Sequence, residues 1–114
     1  MRKDGAVPPR PPATAHGDEE PVLTAVRTIG QPAAIAIIRF LSDHAGARTA
    51  EILDATGLQR ATLTRYLREL RDLDVIHAAG EVGAVPRYSV NRAEVERITR
   101  DHLDYMLGRP RTTG

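Results

Sequence analysis

Apolar residues recur at helical spacing over the first half of the chain and predict two helices there. Acidic residues from Asp18 and then Pro21 are typical of a helix start, and Gly30 ends this first helix. Pro32 opens a second helix that ends near Gly46. Because the second helix is apolar on most of its sides, we expect it at the centre of a small domain.

The next segment predicts a short helix, a tight turn and a longer helix. Thr49 is a suitable cap for a third helix from Ala50 to about Thr56, and Gly57 supplies the left-handed residue that closes it. A fourth helix is then predicted from about Arg60 to Leu73. Its expected buried stripe consists of Leu63, Tyr66, Leu67, Leu70 and Leu73.

Beyond the fourth helix the apolar period changes to two, which predicts a β-hairpin. The strands are Val75–Ala79 and Pro86–Val90, joined by a glycine-containing turn. Asn91 and Glu94 have the spacing of a capping box for a last helix that runs to Leu107. The predicted fold is therefore mainly α, with about five helices and one hairpin.

Composition and charge restrict the class of protein. The 114 residues suffice for one domain, and 16 basic against 15 acidic side chains leave a formal charge of +1. The absence of cysteine excludes disulfides, thiolate metal sites and cysteine nucleophiles. We find no membrane span or secretory signal, and we expect a soluble, cytoplasmic protein. Residues 1–17, rich in proline, are expected to be a disordered arm, residues 18–108 the domain and residues 109–114 a flexible tail.

The side of the fourth helix opposite its leucines is small, hydroxylated and basic. At about 100° per residue, it carries Ala61, Arg65, Arg68 and Asp72, flanked by Thr64. Such a helix suits the major groove of DNA, because arginine can bind guanine bidentately, threonine can donate or accept, and alanine allows close approach. The first turn of the helix also presents free backbone amides to phosphate.

The charge of this region is only modestly positive. Residues 57–72 contain four arginines and two carboxylates, a local charge of +2. An alternative interpretation is therefore a solvated helix face with ion pairs between residues four apart, such as Arg65 with Glu69 and Arg68 with Asp72.

Residues 49–90, TAEILDATGLQRATLTRYLRELRDLDVIHAAGEVGAVPRYSV, resemble a known family. The capped helix, Gly-Leu turn, Arg-x-Leu-x-x-Leu pattern and hairpin closing on tyrosine are similar to the winged helix-turn-helix core of ArsR-like bacterial transcriptional regulators. IclR-like and MarR-like regulators share this local pattern. The resemblance implies a winged helix-turn-helix fold in which the fourth helix is the recognition helix and the hairpin is the wing.

Carried over by position, the resemblance places seven residues of the turn and recognition helix at or near DNA. These are Gln59, Arg60, Ala61, Thr62, Thr64, Arg65 and Arg68. Gln59 stands where the family commonly has a capping serine, so we expect a weak cap. The wing turn contains Glu81 and no basic residue, which leaves Arg87 at its base as the expected wing contact.

The residues do not predict a metal site, a cofactor or an enzyme. Asp101, His102 and Asp104 are the candidate ligands on the last helix, but His102 falls in the stripe that should meet a partner helix. We therefore expect a buried or interface histidine and no metal. We also find no phosphate-binding glycine loop and no serine nucleophile motif.

Together these features predict a sequence-specific regulator that binds double-stranded DNA with its fourth helix in the major groove. We expect it to be a repressor and a homodimer formed through the first and last helices. Two alternatives remain: a winged helix used as a protein-interaction module, and an accessory DNA-binding factor of a phage or plasmid.

Overall fold

A computed structural model describes residues 13–109, with side chains from residue 21 onward. Within these residues, five helices and a two-stranded antiparallel hairpin follow each other in the predicted order. They are α1 (Ala13–Ile29), α2 (Pro32–Asp43), α3 (Thr49–Thr56), α4 (Arg60–Asp72), β1 (Ile76–Ala79), β2 (Arg87–Val90) and α5 (Arg92–Met106). The predicted fold class is therefore confirmed, with helix and strand ends that shift by a few residues.

One apolar core holds these elements together, and α2 and α4 contribute its centre. Ile37, Leu41, Leu63 and Leu70 are almost completely inaccessible to solvent. The predicted central position of α2 follows from its composition, since its apolar side chains cover more than one face. The core cluster is Ala25, Ala34, Ile37, Leu41, Ala47, Ile52, Leu63, Tyr66, Leu67, Leu70, Val75, Ile76, Tyr88 and Ile98.

The first helix begins earlier than its sequence pattern indicates. It starts at Ala13 and includes Pro21, whereas we expected a start at Asp18, so residues 13–17 of the expected disordered arm are helical. Alanine has the highest helix propensity of any residue, and the helix continues through the proline that we interpreted as its first turn. The rest of the arm, residues 1–12, and residues 110–114 of the tail lie outside the described residues.

The cap of α3 is one residue away from its predicted position. Arg48, in an extended conformation, is the N-cap, and Thr49 is already the first helical residue. Glu51 stabilises this start because its carboxylate accepts the backbone N–H of Arg48 at 2.7 Å. Glutamate three residues after the cap can supply this bond alone, so the predicted threonine cap is wrong although the helix is in place.

The hairpin is anchored to the rest of the fold by a residue that precedes α3. Within the hairpin, Ile76 pairs with Val90 and Ala78 with Tyr88. Ala47 forms an isolated bridge to Tyr88, where the Tyr88 N–H donates to the Ala47 carbonyl at 2.8 Å. This bridge fixes the hairpin next to the start of α3.

The last helix packs against α1 through a face that differs from the predicted stripe. Ile98 is buried as predicted, but Tyr105 is exposed, and the buried positions beside Ile98 are Asp101 and Asp104. Arg97 donates to Asp101 at 2.9 Å, and Arg109 donates to Asp104 at 2.7 Å. Carboxylates can occupy buried positions here because each has an arginine partner.

No single helix within the described residues is long and apolar enough to cross a bilayer. Residues 21–29 and 32–43 reach that length and composition only as a pair, with a 73° bend between them.

Candidate nucleic-acid interface

The turn between α3 and α4 has a defined backbone geometry. Gly57 has φ of 71°, and its N–H donates to the Leu53 carbonyl at 2.9 Å, which ends α3 as predicted. The Leu58 N–H reaches the Thr56 hydroxyl at 3.4 Å, and the Leu58 side chain packs against the core. The turn therefore fixes α4 relative to α3.

The start of α4 is capped only by the backbone. Gln59 is the N-cap, and its side chain forms no capping hydrogen bond, which confirms the weak cap expected at this position. Its carbonyl accepts the Leu63 N–H at 2.9 Å. The first-turn amides of α4 thus lack an intrahelical acceptor and are suited to an anion supplied from outside the helix.

The buried and exposed sides of α4 divide as the leucine spacing predicts. Leu63, Tyr66, Leu67 and Leu70 are buried, and Leu73 is a half-buried residue just after the helix end. The opposite side is open to solvent within the described part of the chain. Its residues are Ala61, Thr64, Arg65, Arg68 and Asp72.

All the side chains predicted to contact DNA lie outside the core. Thr62 is half-buried, and the remaining seven are exposed: Gln59, Arg60, Ala61, Thr64, Arg65, Arg68 and Arg87. The structure thus brings the residues of the turn and α4 together on one surface. Arg87 is on a different element, at the base of the hairpin.

Arg65 is held loosely by its neighbours on α4. Its Nε lies 3.7 Å from the Glu69 carboxylate, and the guanidinium carbon lies 4.7 Å from the centre of the Tyr66 ring. Arg65 is 61% exposed, so this ion pair is largely solvated. Within residues 21–109, Arg68 forms no ion pair with Asp72, so one of the two ion pairs expected for a solvated face is present.

The hairpin contributes little positive charge to this surface. Its turn exposes Val82 completely and Val85 largely, together with Glu81. Arg87 donates from Nη1 to the Gly46 carbonyl at 3.2 Å while remaining exposed. This hydrogen bond holds the side chain over the loop before α3.

A small cleft adjoins the exposed side of α4. It has a volume of about 200 Å³ and lies between the start of α3, α4 and the returning strand. Thr49 and Arg71 line it beside Thr64 and Arg68. Thr49 and Arg71 are not among the predicted DNA contacts. Helical spacing along α4 gives no information about a cleft that α3 and β2 complete.

A family match and the similarity to solved structures both indicate the same fold for this chain. Residues 33–77 match the family described as winged helix-turn-helix DNA-binding. A predicted DNA-binding transcriptional regulator from E. coli is 22% identical, with a TM-score of 0.59 over 78% of this chain and 94% of that one. The chain has a winged helix-turn-helix fold. In it, α3 and α4 form the helix-turn-helix, and β1 and β2 form the wing.

Two further solved structures share this winged helix. A MarR-family transcriptional regulator from Silicibacter pomeroyi is 16% identical, with a TM-score of 0.54 over 82% of this chain and 68% of that one. The transcriptional repressor CouR, bound to a 23-mer DNA duplex, is 17% identical, with a TM-score of 0.53 over 82% of this chain and 72% of that one. No curated protein matches the sequence.

Proposed function

We propose that the protein is a transcriptional regulator that reads double-stranded DNA with α4 in the major groove. The observation that carries this proposal is the exposed side of α4, where Arg65 and Arg68 stand beside Ala61 and Thr64. Buried leucines hold the opposite side, so these side chains are presented by a rigid helix. The match of residues 33–77 to winged helix-turn-helix DNA-binding domains supports the same function.

Seven of the eight predicted contacts belong to α4 and its N-cap, and the eighth belongs to the wing. Arg60, Ala61, Thr64, Arg65 and Arg68 can approach base edges or phosphates from α4. Gln59 and Thr62 are at the start of the helix, and Arg87 approaches from the wing base. These assignments are predictions for mutagenesis, with α4 as the first target.

We further propose a homodimer and a repressor mechanism. Leu103 and Met106 on α5 and Leu107 just after it are 43%, 59% and 58% exposed, and an exposed apolar cluster of this kind is typical of a protein–protein interface. A symmetric dimer through α5 and α1 would address two half-sites about 34–36 Å apart. Occupation of a promoter by such a dimer would block transcription. Sedimentation equilibrium tests the dimer, and a monomer at micromolar concentration would contradict it.

The assignment to the ArsR-like subgroup rests on the sequence pattern. The solved neighbours include a MarR-family regulator, and identities below 25% relate folds rather than subgroups. The proposed function has no catalytic step and uses no metal ion. A bacterial regulator that binds chromosomal DNA must lie in the same compartment as that DNA, so we propose a cytoplasmic location.

One observation favours a second function. Val82 at the tip of the wing is completely exposed, Val85 is 61% exposed, and the neighbouring charge is the acidic Glu81. A tip of this kind suits contact with another protein better than contact with phosphate. The winged helix could therefore serve as a protein-interaction module.

Selection of bound duplexes from a random DNA pool tests the proposed function, and affinity measured at several salt concentrations separates it from the alternative. DNA binding releases counterions, so log K should fall steeply and linearly with log salt. A single enriched motif is the expected result. No enrichment, together with affinity for random DNA that does not depend on salt, would contradict the proposal.

A further inference from the structure

The cleft beside α4 has the composition of an anion site. Its described walls contain two guanidinium groups, two threonine hydroxyls, one tyrosine hydroxyl and no carboxylate, so every charged side chain in it is cationic. The residues are Thr49, Thr64, Leu67, Arg68, Arg71 and Tyr88. A wider cleft of about 480 Å³ between the C-terminal half of α4 and α1 differs in charge, since Glu69 and Asp72 outnumber Arg27 there.

The two arginines of the small cleft are free to bind a ligand. Within residues 21–109, neither Arg68 nor Arg71 forms an ion pair or a side-chain hydrogen bond. By contrast, the guanidinium groups of Arg97 and Arg109 are bound to carboxylates. Each unpaired guanidinium has five N–H donors, and two adjacent ones attract an anion with several acceptor oxygens.

We infer that this cleft binds one phosphate group of the DNA backbone, an inference that rests on the proposed function. Arg68 and Arg71 would donate to the two anionic oxygens, the Thr64 hydroxyl would donate from the same helix, and the Thr49 hydroxyl would donate from α3. Thr49 and Arg71 are then DNA contacts in addition to the eight predicted ones. Arg68 becomes a backbone contact rather than a reader of bases.

This assignment separates positioning from sequence reading on one helix. A phosphate contact fixes the register of a protein on the duplex and carries no direct sequence information. With Arg68 held at the backbone, base reading falls to the residues farther from the cleft, Ala61 and Arg65. Substitutions in the cleft should therefore lower the affinity for all DNA sequences by the same factor, whereas substitution of Arg65 should change the preferred sequence.

Binding of the full chain to its selected duplex and to a random duplex, measured over a range of salt concentrations, tests the inference. Arg71→Gln and Arg68→Gln should each reduce the slope of log K against log salt by about 0.9, the value for one released phosphate contact. If the variant and the wild type bind equally at 1 M salt, this change in slope makes the variant bind roughly eightfold more weakly at about 0.1 M salt. The affinity for the selected duplex and the affinity for the random duplex should fall by the same factor.

Thr49→Val provides an independent signature. A neutral hydroxyl releases no counterion, so this variant should bind both duplexes more weakly with an unchanged salt slope. Thr49 is a helical residue and not the cap of α3, so the start of the helix keeps its bond between Arg48 and Glu51. Arg39→Gln on the exposed surface of α2, outside the cleft, the eight predicted contacts and the helices of the proposed dimer, is the matched control for the lost charge and should leave the slope unchanged.

The possible results separate the two hypotheses. If the wild type binds DNA but the cleft variants keep the wild-type slope, the cleft assignment is overturned and the proposed function stands. A change in the preferred sequence of Arg68→Gln also overturns it. If the wild type binds neither duplex, the proposed function fails. Chemical-shift changes at the cleft with inorganic phosphate alone, at low-millimolar concentration, would assign the cleft to a free anion and overturn the backbone assignment.

Discussion

Replacement of Arg65 by alanine should separate DNA binding from folding. The side chain is 61% exposed, and its contacts are a 3.7 Å ion pair with Glu69 and a position 4.7 Å over the Tyr66 ring. A solvated pair four residues apart contributes about 0.3–0.5 kcal/mol, and an exposed cation–π contact contributes about 0.5–1 kcal/mol. The higher helix propensity of alanine offsets roughly 0.2 kcal/mol of this loss.

The expected cost to the free energy of unfolding is thus about 0.6–1.3 kcal/mol. If Arg65 contacts a base, the same substitution should cost about 1–3 kcal/mol of specific binding, which is roughly a 5- to 150-fold loss of affinity. Fluorescence anisotropy with the selected duplex and a scrambled duplex measures the binding, and urea unfolding measures the stability. The loss should be larger for the selected duplex.

Glu69→Gln is the matched control because it breaks the same ion pair and keeps the guanidinium. It also removes a negative charge from the DNA-binding helix, so its affinity for DNA should equal or exceed that of the wild type. Equal affinity of wild type and Arg65→Ala for both duplexes would refute the placement of Arg65 at the DNA. A stability loss of several kcal/mol would refute the view that Arg65 is dispensable for the fold.

Three further predictions concern the scaffold. Leu70→Ala, in a completely buried position of α4, should lower the free energy of unfolding by about 2–5 kcal/mol, and no measurable loss in urea denaturation would contradict its core position. Gly57→Ala should cost about 1–2 kcal/mol in the same assay, because Gly57 has φ of 71°, and no change would mean that the turn relaxes. The hydrogen bond from Arg97 lowers the pKa of Glu94 from its ordinary value despite partial desolvation. The pair therefore stabilises the fold above the ordinary pKa of a glutamate, and the contribution should disappear as pH falls through the lowered pKa. Glu94→Gln should flatten the dependence of the urea midpoint on pH between about 3 and 6, and an unchanged profile would refute the assignment.

The parts of the fold that were predictable from sequence depend on local periodicity. Leucines spaced three and four apart determine which side of α4 is buried, because a helix repeats every 3.6 residues. Gly57 was predictable for a similar reason, since a left-handed residue is needed where α3 ends. The exposed face of Ala61, Arg65 and Arg68 follows from the same spacing.

The contacts that were not predictable join residues far apart in the chain. Ala47 pairs with Tyr88 across more than forty residues, and this pairing brings the start of α3 beside the wing. Thr49 therefore faces Arg71 across one cleft, although no spacing rule relates them. The cap at Arg48 was missed for a local reason, because threonine is a better capping residue than arginine and Glu51 outweighed that preference.

The last turns of α5 reverse the usual distribution of polar and apolar residues, and this reversal explains both the incorrect stripe and the proposed dimer. Asp101 and Asp104 face the protomer, where Arg97 and Arg109 neutralise them. At about 100° per residue, positions 103, 106 and 107 then point to the opposite side, so three apolar side chains are directed to solvent. Burying two carboxylates while exposing leucine and methionine is unfavourable for an isolated protomer. A second copy that covers this side of α5 would remove the unfavourable exposure.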